Sequence, residues 1–244
     1  MRTYVRMGAC RRRLETSGIC MLANPVTLRC SELFDSRTHA VIGISPFNSY
    51  FSEMRISELA RWARRNFTGF HFYVPDRPAA LTLEALGYSP ARAEKKSRRQ
   101  ANYLENKIAR ALSTVEAEDE LSTILLNGRV LDEHRNYSAG HARYQDLFAS
   151  DPEFREGCLE SAAWVLEKHP DRKGPLTPTA IEMGARYFLA EVPFFLDTPC
   201  ILGVQHSVFC YHQCPAFLRK LLETQRGAIA SPNQGFIEVT PVSG

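Results

Sequence analysis

Stretches with the period of a strand alternate along this chain with stretches that have the period of a helix. Residues 39–46 form a nearly unbroken apolar run, and residues 70–74 are aromatic and β-rich, so each is predicted to be a strand. Residues 52–67, with Ser52 as the N-cap, and residues 78–87 are predicted to be helices. This order and spacing predict an α/β fold, in which helices flank a parallel sheet with right-handed crossovers.

The second half of the chain is predicted to be mainly helical. Further helices are predicted at 90–112, 130–149, 152–168, 177–191 and 215–226, and strands at 121–127 and 200–211. Pro193 is predicted to end the helix at 177–191, because proline lacks an N–H for the helix interior. The sequence contains no repeat, low-complexity tract or clear linker. Residues 22–244 are therefore predicted to form a single domain, and residues 1–21 a disordered basic extension.

Composition narrows the class of protein. The chain has 244 residues, of which 44% are apolar and 23% charged, as in a globular protein. No apolar run approaches the ~20 residues of a membrane helix, so no membrane partner is expected. The seven cysteines are odd in number and scattered, which favours reduced thiols in a cytoplasmic protein. The net charge of +3 does not by itself indicate a polyanionic partner.

The residues after the first predicted strand indicate chemistry most strongly. The apolar run at 40–44 breaks at Ser45, and Pro46 cannot continue the ladder. Ligands bind at the carboxyl ends of strands in open α/β sheets, so Ser45 is a candidate nucleophile. The alternative is a Ser-Pro turn after a core strand. The segment from Gly43 to Phe47 is similar to a hydrolase nucleophile elbow, but it has Phe47 where that motif has glycine.

The predicted helix at 90–112 has a cationic face. At about 100° per residue, its basic side chains occupy roughly a third of the helix circumference. They are Arg92, Lys95, Lys96, Arg99, Lys107 and Arg110, and the opposite, apolar side carries Ser97, Ala101, Leu104, Ile108 and Leu112. Such a stripe can contact nucleic-acid phosphates without reading sequence. The alternative is an ordinary solvated helix face.

Two further polar pairs lie in apolar surroundings. Tyr187 and Glu191 are four residues apart and share a helix face. A buried carboxylate needs a partner, which could be Arg186 or a distant arginine, or the ammonium group of a substrate. Tyr211 and His212 end a strand-like run, where they could relay protons. The alternative for this pair is a half-buried tyrosine beside an exposed histidine.

The sequence lacks the usual signs of a cofactor. His206, Cys210, His212 and Cys214 could suggest zinc, but no second cysteine-rich knuckle accompanies them. No Walker loop or dinucleotide glycine fingerprint is present. We therefore expect neither a metal nor ATP.

Three motifs, taken together, resemble those of the cyclodipeptide synthases. They are Gly43-Ile44-Ser45-x-x-Asn48-Ser49-Tyr50-Phe51, then Tyr187-x-x-x-Glu191-x-Pro193, then Tyr211-His212. The resemblance extends from about residue 22 to the C-terminus, and Asn48, Tyr211 and His212 resemble the signature of the Asn-Tyr-His subfamily. It implies a Rossmann-like parallel sheet flanked by helices, similar to the catalytic domain of class I aminoacyl-tRNA synthetases but without their ATP site.

The resemblance also implies a reaction and a role for each matching residue. Two aminoacyl-tRNAs would give a cyclic dipeptide (a 2,5-diketopiperazine) by ping-pong catalysis, through an aminoacyl- and then a dipeptidyl-Ser45 enzyme. Ser45 would accept the acyl group, Tyr187 and Glu191 would hold the first amine, Tyr211 would relay a proton at cyclisation, and Asn48 and His212 would support them. The first side-chain pocket would be lined by Val41, Gly43, Tyr73, Phe194 and Phe195, and the second by Phe209. The tRNA-binding helix would contribute Lys95, Lys96, Arg98, Arg99, Lys107 and Arg110.

The implied partners are two aminoacyl-tRNAs and no DNA. Because Glu105 and Asn106 interrupt the basic helix, the tRNA contact is expected to shift toward its first half. The resemblance leaves room for a downstream tailoring oxidase in secondary metabolism, and for a monomer or a homodimer. Two rival functions remain: a serine hydrolase of small esters, and a non-catalytic tRNA-binding module with a synthetase-like fold. The sequence does not identify the amino acids that are joined.

Overall fold

The chain folds around one sheet with a parallel centre. The structure, a computed structural model, describes residues 21–115, 120–224 and 229–242. The described strands are β1 (Met21–Pro25), β2 (His39–Gly43), β3 (Gly69–Tyr73), β4 (Leu125–Leu126), β5 (Ser207–Tyr211) and β6 (Gln234–Pro241), in the spatial order β1-β6-β5-β2-β3-β4. Every ladder is parallel except that between β1 and β6, at one edge. The predicted α/β fold is confirmed, with one antiparallel edge strand added.

Helices connect these strands and cover both faces of the sheet. The described helices are α1 (Leu28–Asp35), α2 (Glu53–Asn66), α3 (Ala79–Ala85), α4 (Pro90–Ser113), α5 (Leu121–Ile124), α6 (Gly128–Asp132), α7 (Arg135–Ser150), α8 (Pro152–Glu167), α9 (Pro178–Leu202) and α10 (Ala216–Thr224). Ser52 is the N-cap of α2 as predicted, since its hydroxyl accepts a hydrogen bond from the Arg55 N–H. Within the described residues, no helix combines the length and the hydrophobicity needed to cross a bilayer.

Each face of the sheet has its own hydrophobic core, because successive strand residues point to opposite sides. Ile42 and Phe72 pack with α1, α2 and α4 on one face, and Phe209 and Phe236 pack with α7, α8, α9 and α10 on the other. The apolar seam predicted for α4 is confirmed, because Ser97, Ala101, Leu104, Ile108 and Leu112 are all buried.

The topology leaves a crevice at the carboxyl ends of β2 and β5. From β2 the chain builds β3 and β4 on one side, and it later returns to place β5 on the other side of β2. The segments that follow β2 and β5 therefore leave the sheet in different directions. In open α/β sheets, ligands bind in the crevice that such a change of direction creates. Ser45 follows β2 by two residues, and Tyr211 is the last residue of β5. The fold therefore brings these two distant positions to one crevice.

Several sequence-based boundaries were wrong. The helix predicted at 130–149 is divided into α6 and α7, which residues 133 and 134 separate. Residues 121–124 form α5, and only Leu125 and Leu126 belong to a strand, because a short apolar run has no period that distinguishes the two. The strand predicted at 200–211 begins only at Ser207, and α9 continues past Pro193 to Leu202 with a kink at Asp197. Burial of nearly every side chain between 187 and 199 outweighs the hydrogen bond that Pro193 removes.

Strands β1 and β6 and helix α1 were not predicted. β1 contains a proline and β6 ends at one, and these residues are confined to strand edges and ends. The extension predicted at 1–21 lies outside the described residues except for Met21, which begins β1.

Candidate active site

Ser45 lies on the wall of a cavity of about 500 Å³ at the carboxyl ends of β2 and β5. The Ile44 N–H donates to the Tyr73 carbonyl (2.9 Å), so β2 stays attached to β3 up to the residue before the serine. The cavity wall includes Tyr187, Glu191, Tyr211 and His212 from distant parts of the chain. Ser45, Tyr187, Glu191, Tyr211, Asn48 and His212, which were singled out from the sequence, are thus brought together.

The turn after Ser45 is held in an unusual conformation. Phe47 has φ +62°, in the left-handed region that non-glycine residues rarely adopt. The Asn48 Oδ1 accepts a hydrogen bond from the Tyr50 N–H (3.0 Å). Its amide NH2 therefore faces β5, where it donates to Tyr211 Oη (3.3 Å) and to His212 Nε2 (3.1 Å). These contacts tie the turn to the end of β5.

A chain of hydrogen bonds runs through the nucleophile candidate. The Tyr211 hydroxyl donates to Ser45 Oγ (2.8 Å). Tyr187 hydrogen-bonds to both Ser45 and Glu191. Burial raises the pKa of Tyr211 to about 12, although its hydrogen bond to Ser45 works in the other direction. Both phenols therefore stay protonated at neutral pH, where they can donate hydrogen bonds or pass protons.

Glu191 is a buried carboxyl whose protonation a ligand can change. Burial raises its pKa to about 8, and the hydrogen bond from Tyr187 opposes that rise. No described lysine or arginine lies within ion-pair distance of it, and Arg186 instead lines a second cavity. The structural ion pair considered from the sequence is therefore absent among the described residues. A cationic ligand would lower the carboxyl pKa and leave it ionised.

His212 is neutral and packed among aromatic rings. Burial, together with the nearby Lys168, lowers its pKa to about 4. Its Nε2 accepts from Asn48, so the ring proton lies on Nδ1. The ring lies 4.4 Å from Tyr50 and 4.4 Å from Tyr211, measured between centroids. The contacts indicate that His212 supports Tyr211 and the turn at 45–52.

The predicted pocket residues fall into two groups. Gly43, Phe195 and Phe209 line the Ser45 cavity, whereas Val41 and Phe194 are buried away from its wall. Tyr73 lines a second cavity, of about 870 Å³, with residues of α3, α7 and α9.

Gly43 is at a position where a side chain would not fit. A Cβ there would lie 2.7 Å from the Phe209 ring and 3.3 Å from the Tyr211 ring. Phe209 is itself held by Phe195, whose ring centroid lies 4.7 Å away. The glycine therefore lets the end of β5 approach Ser45.

The basic residues of α4 also differ from one another. Lys96 pairs with Asp171, Arg110 with Glu53 (2.8 Å), and Lys107 donates to the Phe51 carbonyl (3.0 Å). Lys95, Arg98 and Arg99 are exposed and have no ion pair or hydrogen bond within the described part of the chain. The free cations therefore lie in the first half of the helix.

One part of the cavity wall was not anticipated from the sequence. Trp164, Lys168 and His169, at the end of α8, line the Ser45 cavity, and the sequence offered no signal for this beyond the end of a helix. The zinc alternative has no support in the described residues, since none of their histidine, cysteine and acidic side chains form a cluster of three. Cys210 points into the core on the opposite face of the sheet.

Comparisons with known proteins agree on one family. A family model for cyclodipeptide synthases matches residues 21–241. The cyclo(L-tyrosyl-L-tyrosyl) synthase of Mycobacterium tuberculosis is 34% identical over 223 residues, which are 90% of this chain and 76% of the relative. The crystal structure of a cyclodipeptide synthase from Bacillus thermoamylovorans has a TM-score of 0.85 and 27% identity, and the match covers 91% of this chain and 97% of that one.

The fold is also that of a tRNA synthetase domain. A tyrosyl-tRNA synthetase from Archaeoglobus fulgidus matches with a TM-score of 0.51 and 14% identity, over 87% of this chain and 58% of the synthetase. The expected similarity to class I synthetase domains is confirmed at the level of the fold.

Proposed function

This chain belongs to the cyclodipeptide synthase family and forms dipeptides from aminoacyl-tRNAs, and we propose that it does so by covalent catalysis on Ser45. The main support for this proposal is the hydrogen-bond chain from Tyr211 through Ser45 and Tyr187 to Glu191, which lies on the wall of one cavity. The hydrogen bonds among Asn48, Tyr211 and His212 support assignment to the Asn-Tyr-His subfamily.

In the first step Ser45 Oγ attacks the ester carbonyl of an aminoacyl-tRNA. The Oγ–C bond forms, the bond to the terminal ribose oxygen breaks, and the hydroxyl proton moves to that oxygen. Tyr187 and Tyr211 both contact Ser45, so either phenol can carry the proton across. One oxygen ester replaces another, so the acyl group keeps its activation and the reaction needs no ATP. The first tRNA then leaves.

Glu191 is suited to hold the first amine and to take its proton. Burial raises the carboxyl pKa toward that of an α-amino group, so the carboxylate that a bound ammonium leaves ionised can accept a proton from it. The amine that has lost its proton attacks the ester carbonyl of the second aminoacyl-tRNA. A C–N bond forms, the ribose oxygen takes a proton and leaves, and a dipeptidyl group remains on Ser45.

Ring closure returns the serine to its free form. The new terminal amine attacks the Ser45 ester carbonyl, a C–N bond forms and the C–Oγ bond breaks. Tyr211 gives its proton to Oγ and takes up the proton that the amine loses. The six-membered ring needs a cis amide, which costs about 2.5–4 kcal/mol for residues other than proline. A closed cavity with Phe188, Phe195 and Phe209 on its walls favours the compact dipeptidyl group.

The cavity also suggests which aminoacyl groups it accepts. Its walls carry Trp164, Val165, Phe188, Phe195, Phe209 and Phe236. Burying an aliphatic or aromatic side chain against such walls is favourable, whereas taking a charged side chain out of water costs free energy. We therefore assign the enzyme to apolar or aromatic substrates, in keeping with its tyrosine-joining relative.

The first half of α4 is the proposed tRNA surface. Lys95, Arg98 and Arg99 are exposed and have no partner among the described residues, so their charges are available to phosphates. Lys107 already donates to the Phe51 carbonyl in the turn before α2, and Arg110 pairs with the Glu53 carboxylate of α2. This distribution supports a tRNA contact centred on the first half of the helix.

Intact-mass spectrometry tests the proposal directly. We expect a mass increase of one aminoacyl residue on the protein after brief mixing with labelled aminoacyl-tRNA, and its localisation to Ser45 by peptide mapping. Ser45→Ala should abolish both the adduct and the cyclic dipeptide, because Ser45 is the serine that contacts Tyr211 and Tyr187 in the described part of the chain.

Ser49→Ala is the matched control, since Ser49 lines the same cavity on the same turn. It should keep both the adduct and the product. Product formation by Ser45→Ala would overturn the covalent mechanism. Hydrolysis of small esters that survives RNase treatment would favour the hydrolase, and tight tRNA binding without an adduct would favour the non-catalytic module.

A further inference from the structure

One cation faces the catalytic cavity, and neither the sequence motifs nor the proposed chemistry uses it. Lys168 follows the last residue of α8 and is exposed. It is the only lysine or arginine among the described residues that line the Ser45 cavity. Its ammonium lies 3.8 Å from the centroid of the Trp164 ring, which also lines that cavity. The described residues provide no ion-pair partner for it.

The other titratable groups on this wall add little positive charge. His212 and His169 are kept neutral because burial lowers the pKa of each. Burial likewise raises the pKa of the Glu191 carboxyl, so it is largely protonated before a ligand binds. Among the described residues, an anion that reached the mouth of the cavity would therefore find Lys168 as its one cationic partner on the wall.

The substrate of the proposed reaction brings such an anion. The reacting ester sits on the ribose of the last nucleotide, and the phosphate of that nucleotide is attached to the same ribose. When the ester carbonyl reaches Ser45, this phosphate must stay near the cavity mouth. Charge-assisted contacts to phosphate are stronger than neutral hydrogen bonds, and a lysine ammonium can approach a phosphate from many directions.

The loop that carries Lys168 is attached to the proposed tRNA helix. Asp171 pairs with Lys96 of α4, and Tyr88 Oη lies 3.1 Å from Lys96 Nζ and 3.2 Å from Asp171 Oδ2. The Lys96 ammonium also lies 5.5 Å from the centroid of Phe47, in the turn after Ser45. Lys168 therefore lies on the wall of the Ser45 cavity, in a loop that is joined to the helix carrying the free cations.

From this position we infer that Lys168 binds the phosphate of the 3′-terminal nucleotide of the aminoacyl-tRNA and so places the ester at Ser45. The inference rests on the proposed function. The family resemblance implies that Lys96 binds tRNA, whereas this inference gives Lys96 a structural role. The Lys96 ammonium holds the Lys168 loop against α4 through Asp171.

Salt-dependent kinetics of Ser45 acylation test the inference. Lys168→Ala should raise the KM for aminoacyl-tRNA about tenfold and leave the single-turnover rate at saturation nearly unchanged, as expected for one lost charged hydrogen bond. The slope of log(kcat/KM) against log[salt] should become shallower by about 0.7, the value for one single-strand phosphate contact. Lys168→Arg should restore most of both, and Lys168→Glu should weaken binding further.

Lys173→Ala is the matched control. Lys173 is exposed in the same loop but does not line the cavity. Its loss should therefore change the KM and the salt slope much less than the loss of Lys168 does. Equal effects at positions 168 and 173, or an unchanged salt slope in Lys168→Ala, would overturn the inference. If the unaltered protein forms no Ser45 adduct at all, the proposed function fails. A normal adduct with wild-type kinetics in Lys168→Ala removes only the phosphate site.

Discussion

Strands β2 and β5 carry a hydrogen-bonded polar chain at each end, and the two chains differ in their surroundings. At the amino ends, His39 Nδ1 is hydrogen-bonded to Ser207 Oγ (2.8 Å), and His39 Nε2 to His71 Nδ1 (2.8 Å). His71 in turn donates to the backbone of Thr123. At the carboxyl ends, Ser45 and Tyr211 belong to the chain that reaches Glu191 on the cavity wall.

The difference between the chains separates a structural role from a functional one. In the amino-end chain each ring nitrogen has a partner, and none of its three side chains lines either of the two cavities described above. Such a satisfied network stabilises the fold. The carboxyl-end chain borders empty space and contains a buried acid that has no cationic partner among the described residues. A hydrogen-bonded polar chain therefore indicates catalysis when it borders a cavity and contains a buried acid whose positive partner the ligand can supply.

Glu191→Gln should have the largest effect and should act in opposite directions on activity and stability. Glutamine cannot exchange a proton with the substrate amine, so cyclic dipeptide formation should fall by about 10²–10⁴-fold. The free energy of unfolding should rise at pH 8, because the variant no longer has to keep a carboxyl protonated in the folded state. Product assays and urea unfolding at one pH measure both.

The control for this variant is Glu182→Gln, on the same helix. Glu182 pairs with Arg155 at the surface (2.8 Å), so its loss should leave product formation nearly unchanged. If Glu191→Gln unfolds at ordinary temperature, Glu191 serves the fold, and the proposed role in amine binding is wrong.

His39→Leu should show the reverse pattern. It removes a 4% exposed ring and leaves the Ser207 hydroxyl and the Nδ1 atom of His71 each without a hydrogen-bond partner, so the free energy of unfolding should fall by about 1–3 kcal/mol. Product formed per folded molecule should not change. Ser207→Ala should cost less, and the double variant should cost less than the sum of the two, since both disrupt one network. A loss of turnover without a loss of stability would show that the two chains are coupled.

The sequence predicted the carboxyl-end chain better than the amino-end chain. Ser45 stood out because a hydroxyl and a proline follow a buried strand, and Tyr187 and Glu191 because a tyrosine and an acid share an apolar helix face. His39 and His71 also lie in predicted strands. Their contact depends on the register that pairs His39 with Gly69 and Val41 with His71, and no local pattern encodes it.

The same limit applies to the basic stripe of α4. Helical period alone identified its charged face and its buried seam, because both depend on residues within one helix. The partners of Lys96, Lys107 and Arg110 come from other elements, namely Asp171, the Phe51 carbonyl and Glu53. Tertiary contacts thus determine which cations have no partner. The sequence predicted only which residues form the charged face.

A pH series of urea unfolding compares the two chains in one measurement. The His39 pKa falls to about 3 in the folded state, because burial, and then His71, disfavour its charged form. Unfolded His39 takes up a proton below about pH 6.5. Its contribution to stability is therefore complete above that pH and is lost as the pH falls toward 3, by at most ~1.4 kcal/mol per pH unit.

Glu191 has the opposite sign, because its pKa is raised to about 8 in the folded state from 4.5. Its contribution is complete below pH 4.5 and is lost as the pH rises to 8, since only the unfolded chain ionises freely in that range. The stability difference between wild type and His39→Leu should shrink as the pH falls from 6.5. The difference between Glu191→Gln and wild type should grow as the pH rises from 4.5. Parallel curves for wild type and Glu191→Gln would mean that the Glu191 carboxyl already has a cationic partner in the folded chain, and the contrast between the two ends of the sheet would then fail.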